Sequence, residues 1–374
     1  MFIPLAKPNF GTTEKKLVNQ CLDTGWISSI GSFVDQFSNQ FAKTVKTKYA
    51  LPVSNGTVAL HLALIALGIK KGDEVIVPAL TFVASANAIT YIGAKPMFID
   101  IEHDVFNLDI SQIETRITKK TKAIMTVDLY GHPVDFDAIK MICKKYNLKF
   151  ISDSAESLGS LYKNQPVGHQ ANMSIFSFFG NKIITTGEGG MLVTNSKKLY
   201  ETSKLYRDQG KDTRVHPYYH PVIGYNYAMT NLQAAVGIGQ LKSLKTFVKQ
   251  KRNIAKAYQN LLKGIPGISF QQEADYAQSN YWMFSILIDN NKFGRTRDQL
   301  INYLGRKNIE TRPFFYPLPL LPPYKKQNKI KDFPVTKKIA SIGINLPTFA
   351  SLKKSEIEYI VNCIKDAQKN KTNH

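Results

Sequence analysis

The feature that most constrains the fold is a regular alternation of short apolar runs with helical patterns between residues 48 and 153. Five runs have the composition of β-strands, namely residues 49–53, 74–77, 96–100, 123–127 and 150–153. Between them, apolar residues recur at helical spacing over residues 57–67, 83–91, 110–117 and 135–146. Since parallel strands need crossover helices, this order predicts an α/β fold with a large doubly wound, mostly parallel sheet. Ligands of such sheets gather beyond the carboxyl ends of the strands.

The second half of the chain predicts a smaller domain. Two β-like runs lie between residues 174 and 195, and a stretch rich in Tyr, His and Pro follows over residues 207–227. A long helical run over residues 231–262 links this part to a smaller α+β unit that begins near residue 265. We therefore expect a large domain with the N-terminal segment over residues 1–245 and a small C-terminal domain over residues 246–374.

The composition excludes several classes of protein. Hydrophobic residues make up 43% and charged residues 21% of the chain, which is ordinary globular usage and excludes general disorder. Lys and Arg exceed Asp and Glu by 49 to 28, a net charge of +21. The lysines are dispersed along the chain, so we favour a solvated surface over a nucleic-acid footprint and expect no nucleic-acid partner.

Cysteine usage and the N-terminus bear on location. Cys21, Cys143 and Cys363 lie far apart and form no CxxC pair, which argues against a disulfide framework and against a zinc ribbon. The N-terminus lacks a secretory pattern, and the longest apolar stretch is shorter than the roughly 20 residues a bilayer requires. We expect a cytoplasmic protein with no membrane association.

Familiar cofactor signatures are missing from the sequence. It contains no GxxxxGK[ST], no HExxH and no GxGxxG after the first strand. These absences argue against a P-loop NTPase, a zinc protease and an ordinary NAD dehydrogenase, and we expect no metal site.

The turn Ser54-Asn55-Gly56-Thr57 has the outline of a phosphate site. A strand ends there, the glycine allows a close approach, and a helix begins at the threonine. Free N–H groups and the positive end of the helix dipole would then point in one direction. Simple capping of the helix is the alternative.

Two further residues are candidates for chemistry. Asp153 ends an apolar strand, where a buried carboxylate could pair with a protonated ring nitrogen or cap the next helix. Lys182 is flanked by aromatic and apolar residues, a setting that lowers the pKa of an amine, although most lysines of this chain are surface groups. Together with the phosphate turn, these residues are the parts needed to hold pyridoxal 5'-phosphate.

The chain resembles the DegT/DnrJ/EryC1/StrS family of sugar aminotransferases, which have the fold-type I architecture. The resemblance extends from residue 3 to about residue 364, and the motifs occur in the order of the family. They are GWISS (25–29), SNGTVAL (54–60), DSAESLG (153–159), SIFSFFGNK (174–182), GEGG (187–190), GYNY (224–227) and RPFFYP (312–317).

The resemblance implies roles around a bound pyridoxal phosphate. Lys182 would form a Schiff base with it and later move a proton between the substrate carbon and the cofactor. Asp153 would keep the pyridine nitrogen protonated. Phe82 would stack on the ring, and Glu156 would approach the phenolic oxygen; from the sequence without the family, Phe82 is better explained as a core aromatic.

The resemblance also implies a shared active site. Gly56, Thr57 and Ser177 would hold the cofactor phosphate together with the partner subunit's Asn226. The protein would therefore act as a homodimer.

Substrate contacts are implied less directly. Trp26, Ser28 and Ser29 would line the entrance for the sugar nucleotide, or form an ordinary turn. Arg312 could bind a substrate phosphate or carboxylate through its planar guanidinium, or form a surface ion pair. Ala228 and Pro319 stand where relatives commonly have arginine and histidine, and these departures bear on contacts with the substrate or the amino donor.

The implied reaction moves an amino group from L-glutamate to a nucleotide-linked 4-keto-6-deoxy sugar for polysaccharide assembly. GDP-4-keto-6-deoxy-D-mannose is the first choice, and UDP-linked ketosugars of the bacillosamine or legionaminic acid type are the alternative. A sugar 3-dehydratase of the same family would have histidine in place of Lys182. The alternative outside the enzymes is a non-catalytic, basic binding protein.

Overall fold

A computed structural model describes residues 2–369 of the chain. Within them the fourteen strands are β1 (Tyr49–Val53), β2 (Glu74–Pro78), β3 (Lys95–Ile99), β4 (Thr121–Val127), β5 (Lys149–Asp153), β6 (Leu161–Tyr162), β7 (Gln165–Pro166), β8 (Met173–Ser177), β9 (Gly190–Thr194), β10 (Ile268–Phe270), β11 (Ala277–Gln278), β12 (Phe284–Ile288), β13 (Arg312–Pro313) and β14 (Gly343–Leu346). The twelve α-helices are α1 (Thr12–Thr24), α2 (Ser32–Thr44), α3 (Gly56–Ala66), α4 (Ala84–Tyr91), α5 (Ile113–Arg116), α6 (Phe136–Tyr146), α7 (Lys197–Arg207), α8 (Asn231–Leu262), α9 (Asn290–Phe293), α10 (Arg297–Arg306), α11 (Pro334–Ile342) and α12 (Lys354–Lys369).

The large sheet has seven strands in the order β1-β9-β8-β5-β4-β2-β3. Strands β8, β5, β4, β2 and β3 run parallel, whereas β9 is antiparallel to both of its neighbours. Strands β1 and β8 therefore point the same way, and the carboxyl ends of β1, β5 and β8 lie at one edge of the sheet. The predicted α/β fold with a mostly parallel sheet is confirmed.

Burial explains why the strands of this sheet are continuous apolar runs. Every residue of β2 and of β9 is buried, because helices cover both faces of the sheet. The helices begin at side-chain caps that the sequence supplies. Asn55 caps α3 and Asp135 caps α6, while Thr230 and Gln233 form a reciprocal capping box at the start of α8.

A second, smaller core surrounds the antiparallel sheet β10-β12-β14-β13. Helix α8 joins the two cores, since Leu244 packs in the large one and Tyr258 in the small one. The N-terminal segment also reaches the small core, where the N–H of Ile3 donates to the carbonyl oxygen of Asn308 at 2.9 Å. The division between residues 245 and 246 falls within α8 and remains a prediction. Residues 370–374, at the end of the predicted C-terminal domain, lie outside the described residues.

One element differs from the sequence-based expectation. The helix expected over residues 110–117 is a single 3₁₀ turn, Ile110–Gln112, followed by the short α5. The Asp109 carboxylate accepts a hydrogen bond from the N–H of Ser111 and favours this tight turn. Strand β12 begins at Phe284, after a turn at Tyr281, where φ is +48°.

No helix within residues 2–369 combines the length and the apolar character that a bilayer crossing requires. Cys21, Cys143 and Cys363 are all buried and free.

Candidate active site

A cavity of about 740 Å³ opens at the edge where β1, β5 and β8 end. Most of the residues expected to bind the cofactor line this one cavity, together with a single expected substrate contact. They are Gly56, Thr57, Phe82, Asp153, Glu156, Ser177, Lys182 and Arg312. The topology explains the convergence, because each of the first seven lies at or just after the carboxyl end of a strand in the large sheet.

Lys182 lies in the loop after β8 and points into the cavity. Its backbone N–H donates to the carbonyl oxygen of Phe179 at 3.0 Å, which fixes the turn. Its side chain is 13% exposed, and its Nζ lies 3.5 Å from Oε1 of Glu156. Burial lowers the pKa of Lys182, while the charges of Glu156 and Asp153 oppose that change. The site thus favours the free amine more than a surface position does.

Glu156 is the nearest acid to this amine. Its Oε2 accepts a hydrogen bond of 2.7 Å from the backbone N–H of Tyr130. Burial raises the pKa of Glu156 to about 7, against the opposing effect of Lys182. A carboxyl group that titrates near neutral pH beside an amine can take up or release a proton at the working pH.

Asp153 ends β5 at the floor of the cavity and is buried. Its Oδ2 accepts a hydrogen bond of 2.7 Å from the Ser85 hydroxyl, and its Oδ1 accepts one of 3.2 Å from the N–H of Ala155. Burial raises the pKa of Asp153, while these two hydrogen bonds and the charge of Lys182 lower it. The Ala155 contact is of the capping type that the sequence allowed, yet a turn rather than a helix follows.

The start of α3 is shaped to receive an anion. The side chain of Asn55 accepts a hydrogen bond of 3.0 Å from the N–H of Val58, so the helix is capped. Among residues 2–369, no acceptor binds the N–H groups of Gly56 and Thr57. A Cβ on Gly56 would lie 3.1 Å from Cβ of Ser177, so the glycine permits the close approach. Capping and a phosphate cradle are therefore compatible here.

Phe82 is 54% exposed on the cavity wall and packs against Phe315, with ring centroids 5.8 Å apart. It is not a core aromatic. A planar ring bound between this wall and Asp153 would meet an apolar face and a buried carboxylate. With the amine and the free N–H groups, the residues present fit pyridoxal phosphate.

The other residues predicted to bind the cofactor or the substrate do not line this cavity. Asn226 and Ser29 line a second cavity of about 600 Å³, which Ala228 and Arg207 also border. Trp26 is 56% exposed, and Ser28 accepts a backbone hydrogen bond from Asn231.

Arg312 lines the first cavity and also forms an ion pair of 3.1 Å with Glu310. The ion pair that the sequence allowed is therefore present, and the binding of a substrate group by Arg312 stays a prediction.

Sequence reasoning missed three residues that contact the central groups. The ring centroid of Trp282 lies 3.8 Å from Nζ of Lys182, Ser85 binds Asp153, and the backbone of Tyr130 binds Glu156. Ser85 could have been considered for the site, because it lies three residues after Phe82, at the start of α4. Trp282 has no local signal, since it is 100 residues from the lysine it contacts.

Comparison with known proteins agrees with this site. A sequence model of the DegT/DnrJ/EryC1/StrS aminotransferase family matches residues 8–365. The chain belongs to this family and is an aminotransferase that depends on pyridoxal phosphate.

The relatives give a more particular similarity. The chain is 47% identical to GDP-perosamine synthase of Escherichia coli O157:H7 over 98% of each chain. It is 42% identical to GDP-perosamine synthase of Vibrio cholerae over 97% of this chain and 98% of the relative. Among solved structures, Helicobacter pylori PseC, an aminotransferase involved in the biosynthesis of pseudoaminic acid, superposes with a TM-score of 0.92 at 28% identity and covers 99% of this chain and 100% of its own.

Proposed function

We propose that this protein transfers the amino group of L-glutamate to the keto carbon of GDP-4-keto-6-deoxy-D-mannose and so makes GDP-perosamine. The observation that carries the proposal is the 47% identity to a GDP-perosamine synthase over almost the entire chain. The cavity that holds Lys182, Glu156 and Asp153 supports it, because this set suits amino-group transfer.

The chain's own residues would serve the bound cofactor as follows. Pyridoxal phosphate supplies an aldehyde that bonds to amino groups and a ring that withdraws electrons from the neighbouring carbon. Asp153 would hold a proton on the ring nitrogen through its buried carboxylate, and Ser85 would keep that carboxylate oriented. Phe82 would cover the ring and exclude water. Glu156 would lie toward the phenolic oxygen of the cofactor.

Lys182 would carry the proton in both halves of the reaction. In the first half, the α-proton of glutamate would pass to Nζ of Lys182, its amino group would stay with the cofactor, and water would supply the oxygen of the 2-oxoglutarate that leaves. In the second half, Nζ returns a proton to the sugar carbon that receives the nitrogen. The lowered pKa of Lys182 suits this exchange, because the amine must accept a proton and then release it.

Binding groups would come from both copies of a homodimer. Gly56, Thr57 and Ser177 would hold the cofactor phosphate within one chain, and the partner subunit's Asn226 would complete the set. Trp26, Ser28 and Ser29 would border the path of the nucleotide, and Arg312 would bind a substrate phosphate or the glutamate carboxylate.

An assay of the purified holoprotein tests the substrate. L-glutamate is incubated with GDP-4-keto-6-deoxy-D-mannose or with UDP-linked 4-keto-6-deoxy sugars, and aminated product and 2-oxoglutarate are measured. We expect product from the GDP sugar and none from the Lys182→Ala variant. Product from UDP sugars alone would favour the second candidate, a UDP-linked ketosugar aminotransferase.

Absorbance separates an enzyme from a basic binding protein. A visible cofactor band that is missing in Lys182→Ala supports the aminotransferase. Protein that stays colourless with added pyridoxal phosphate would favour the binding protein. The retained lysine argues against a 3-dehydratase.

A further inference from the structure

The amine of Lys182 lies over the face of an aromatic ring. Its Nζ is 3.8 Å from the ring centroid of Trp282, well within the distance at which a ring face attracts a cation. The charged groups that face the same amine are Glu156 at 3.5 Å and Asp153 farther along the floor. A protonated Lys182 would therefore have a carboxylate on one side and a π-face on the other.

Hydrogen bonds from the indole and from the backbone hold Trp282 in this position. Its indole N–H donates to the carbonyl oxygen of Asn181, the residue next to Lys182, at 2.8 Å. Its backbone N–H donates to Oδ1 of Asn280 at 2.7 Å, which closes a tight turn at Tyr281. The indole also stacks on Tyr130, with ring centroids 6.3 Å apart. The ring cannot rotate without breaking these contacts.

The carbonyl group of Trp282 is held by a second buried lysine. Nζ of Lys251, on α8, donates to this carbonyl oxygen at 3.0 Å and also to the carbonyl oxygen of Thr348. Lys251 is 6% exposed, and no carboxylate within residues 2–369 forms an ion pair with it. Burial lowers its pKa to about 7. Burying an amine without a counter-charge costs stability. The hydrogen bonds to two backbone carbonyl groups offset only part of that cost.

We propose that the indole of Trp282 stabilises the protonated form of Lys182 whenever that amine is free, and that Lys251 positions Trp282 for this contact. The inference deepens the proposed function, in which Lys182 carries the proton. A ring face holds an ammonium without a directed hydrogen bond, so Nζ can stay protonated and still turn toward the cavity. Trp282 touches the reacting amine, whereas Lys251 acts through Trp282 and is a positioning residue.

Labelling of the cofactor-free protein tests the first part without requiring turnover. The Lys182 amine is acetylated with limiting reagent over a range of pH, and its peptide is quantified by mass spectrometry to give the pKa. We expect the pKa of Lys182 to fall by about one unit in Trp282→Leu, because the π-face is lost. Trp282→Phe keeps a ring and should give a smaller fall. A rise of the pKa in both variants would mean that the indole only excludes water, which overturns the proposal.

Fluorescence tests the role of Lys251. The chain has two tryptophans, so Trp26→Phe leaves Trp282 as the sole reporter. In that background, Lys251→Met keeps the apolar stem but removes the donor. We expect several-fold greater quenching of Trp282 by acrylamide and a fall in the pKa of Lys182. Lys249→Met, on an exposed position of the same helix, is the matched control and should change neither.

The two failures are distinguishable. If Lys251→Met leaves both the quenching and the pKa of Lys182 at their original values, Lys251 does not position Trp282. If the labelling gives the expected shifts but no ketosugar is aminated, the proposed function fails while the contact between Trp282 and Lys182 stands.

Discussion

Asp153 offers the most direct single-residue test of the proposed chemistry. Replacing it with asparagine keeps the shape and an acceptor for the Ser85 hydroxyl but removes the negative charge. We expect Asp153→Asn to lower kcat by on the order of 100-fold or more, since a neutral amide cannot hold a proton on the ring nitrogen. Steady-state assays with glutamate check this, and cofactor absorbance verifies loading.

Ser85→Ala is the matched control for that prediction. It leaves the charge of Asp153 in place and removes one hydrogen bond, so we expect only a several-fold loss of kcat. Equal losses in the two variants would show that geometry rather than charge is what Asp153 supplies.

His132 predicts an acid-dependent loss of stability. It is buried, and its Nε2 accepts a hydrogen bond of 3.0 Å from the N–H of Ala274. Burial lowers its pKa from 6.5 to about 4 in the folded protein. Between these values the unfolded chain binds a proton at this position that the folded chain does not, so folding weakens as the pH falls from about 6.5 toward 4.

The variant His132→Gln isolates this effect. The free energy of unfolding is measured by urea titration at several pH values for both proteins. The stability advantage of the original protein should shrink on acidification by at most about 1.4 kcal/mol per pH unit. If the free energies of unfolding of the two proteins changed in parallel with pH, His132 would be already protonated in the folded protein or accessible to water.

Single residues also show where sequence reasoning succeeds. Asp153 and Lys182 carry local signals, an apolar strand that ends in a carboxylate and a lysine among aromatic residues. Trp282 and Lys251 carry none, because their contacts form only when the turn before β12 and helix α8 pack against the loop of Lys182. A sequence pattern reports neighbours along the chain, not partners brought together by packing.

Among the elements, the contact of α8 with α2 gives a stability prediction. A Cβ placed on Gly237 would lie 2.7 Å from the ring of Phe37, which is fully buried. We expect Gly237→Ala to lower the free energy of unfolding by about 1–3 kcal/mol, because the rigid ring must shift. Gly305→Ala in α10 is the control, since nothing lies within 4 Å of its added Cβ.

The control should be neutral or up to about 1 kcal/mol more stable, because alanine favours a helix more than glycine does. Thermal unfolding of the three proteins checks the pair. A stabilised Gly237→Ala would contradict the tight packing of α8 against α2.

Elements of the large sheet could be predicted to within a few residues, because buried parallel strands are continuous apolar runs. The capped helix α8 was equally clear from its pattern. The region after β3 was not, since the side-chain hydrogen bond of Asp109 turns the backbone before a helix can extend. Short polar contacts of this kind do not change the apolar periodicity, so an analysis of that periodicity cannot detect them.

For the whole molecule, the separation of Asn226 from the main cavity leads to a prediction of shared active sites. Asn226 borders the second cavity, and its neighbour Tyr227 accepts a backbone hydrogen bond of 2.8 Å from Ser54. If the partner subunit's Asn226 completes each site, Lys182→Ala and Asn226→Ala should each be inactive alone. Mixed by unfolding and refolding together, they should recover about a quarter of the activity, since half of the dimers would hold one intact site.

Mass measurement in solution accompanies this experiment and should give a dimer. Two inactive variants that stay inactive after verified mixing would show that Asn226 serves its own chain. The sequence could suggest the shared site only through family resemblance, because one chain's pattern contains no information on which surface meets a second copy.

The course of helix α8 limits how this protein can be dissected. At 32 residues the helix is about 48 Å long, and it enters both cores without a break. A fragment cut between residues 245 and 246 would end in mid-helix and leave the apolar side of Tyr258 and Leu262 without its supporting turns. Neither half is therefore a natural unit for separate expression, and a split or an inserted tag belongs in the loop after Leu262 rather than within the helix.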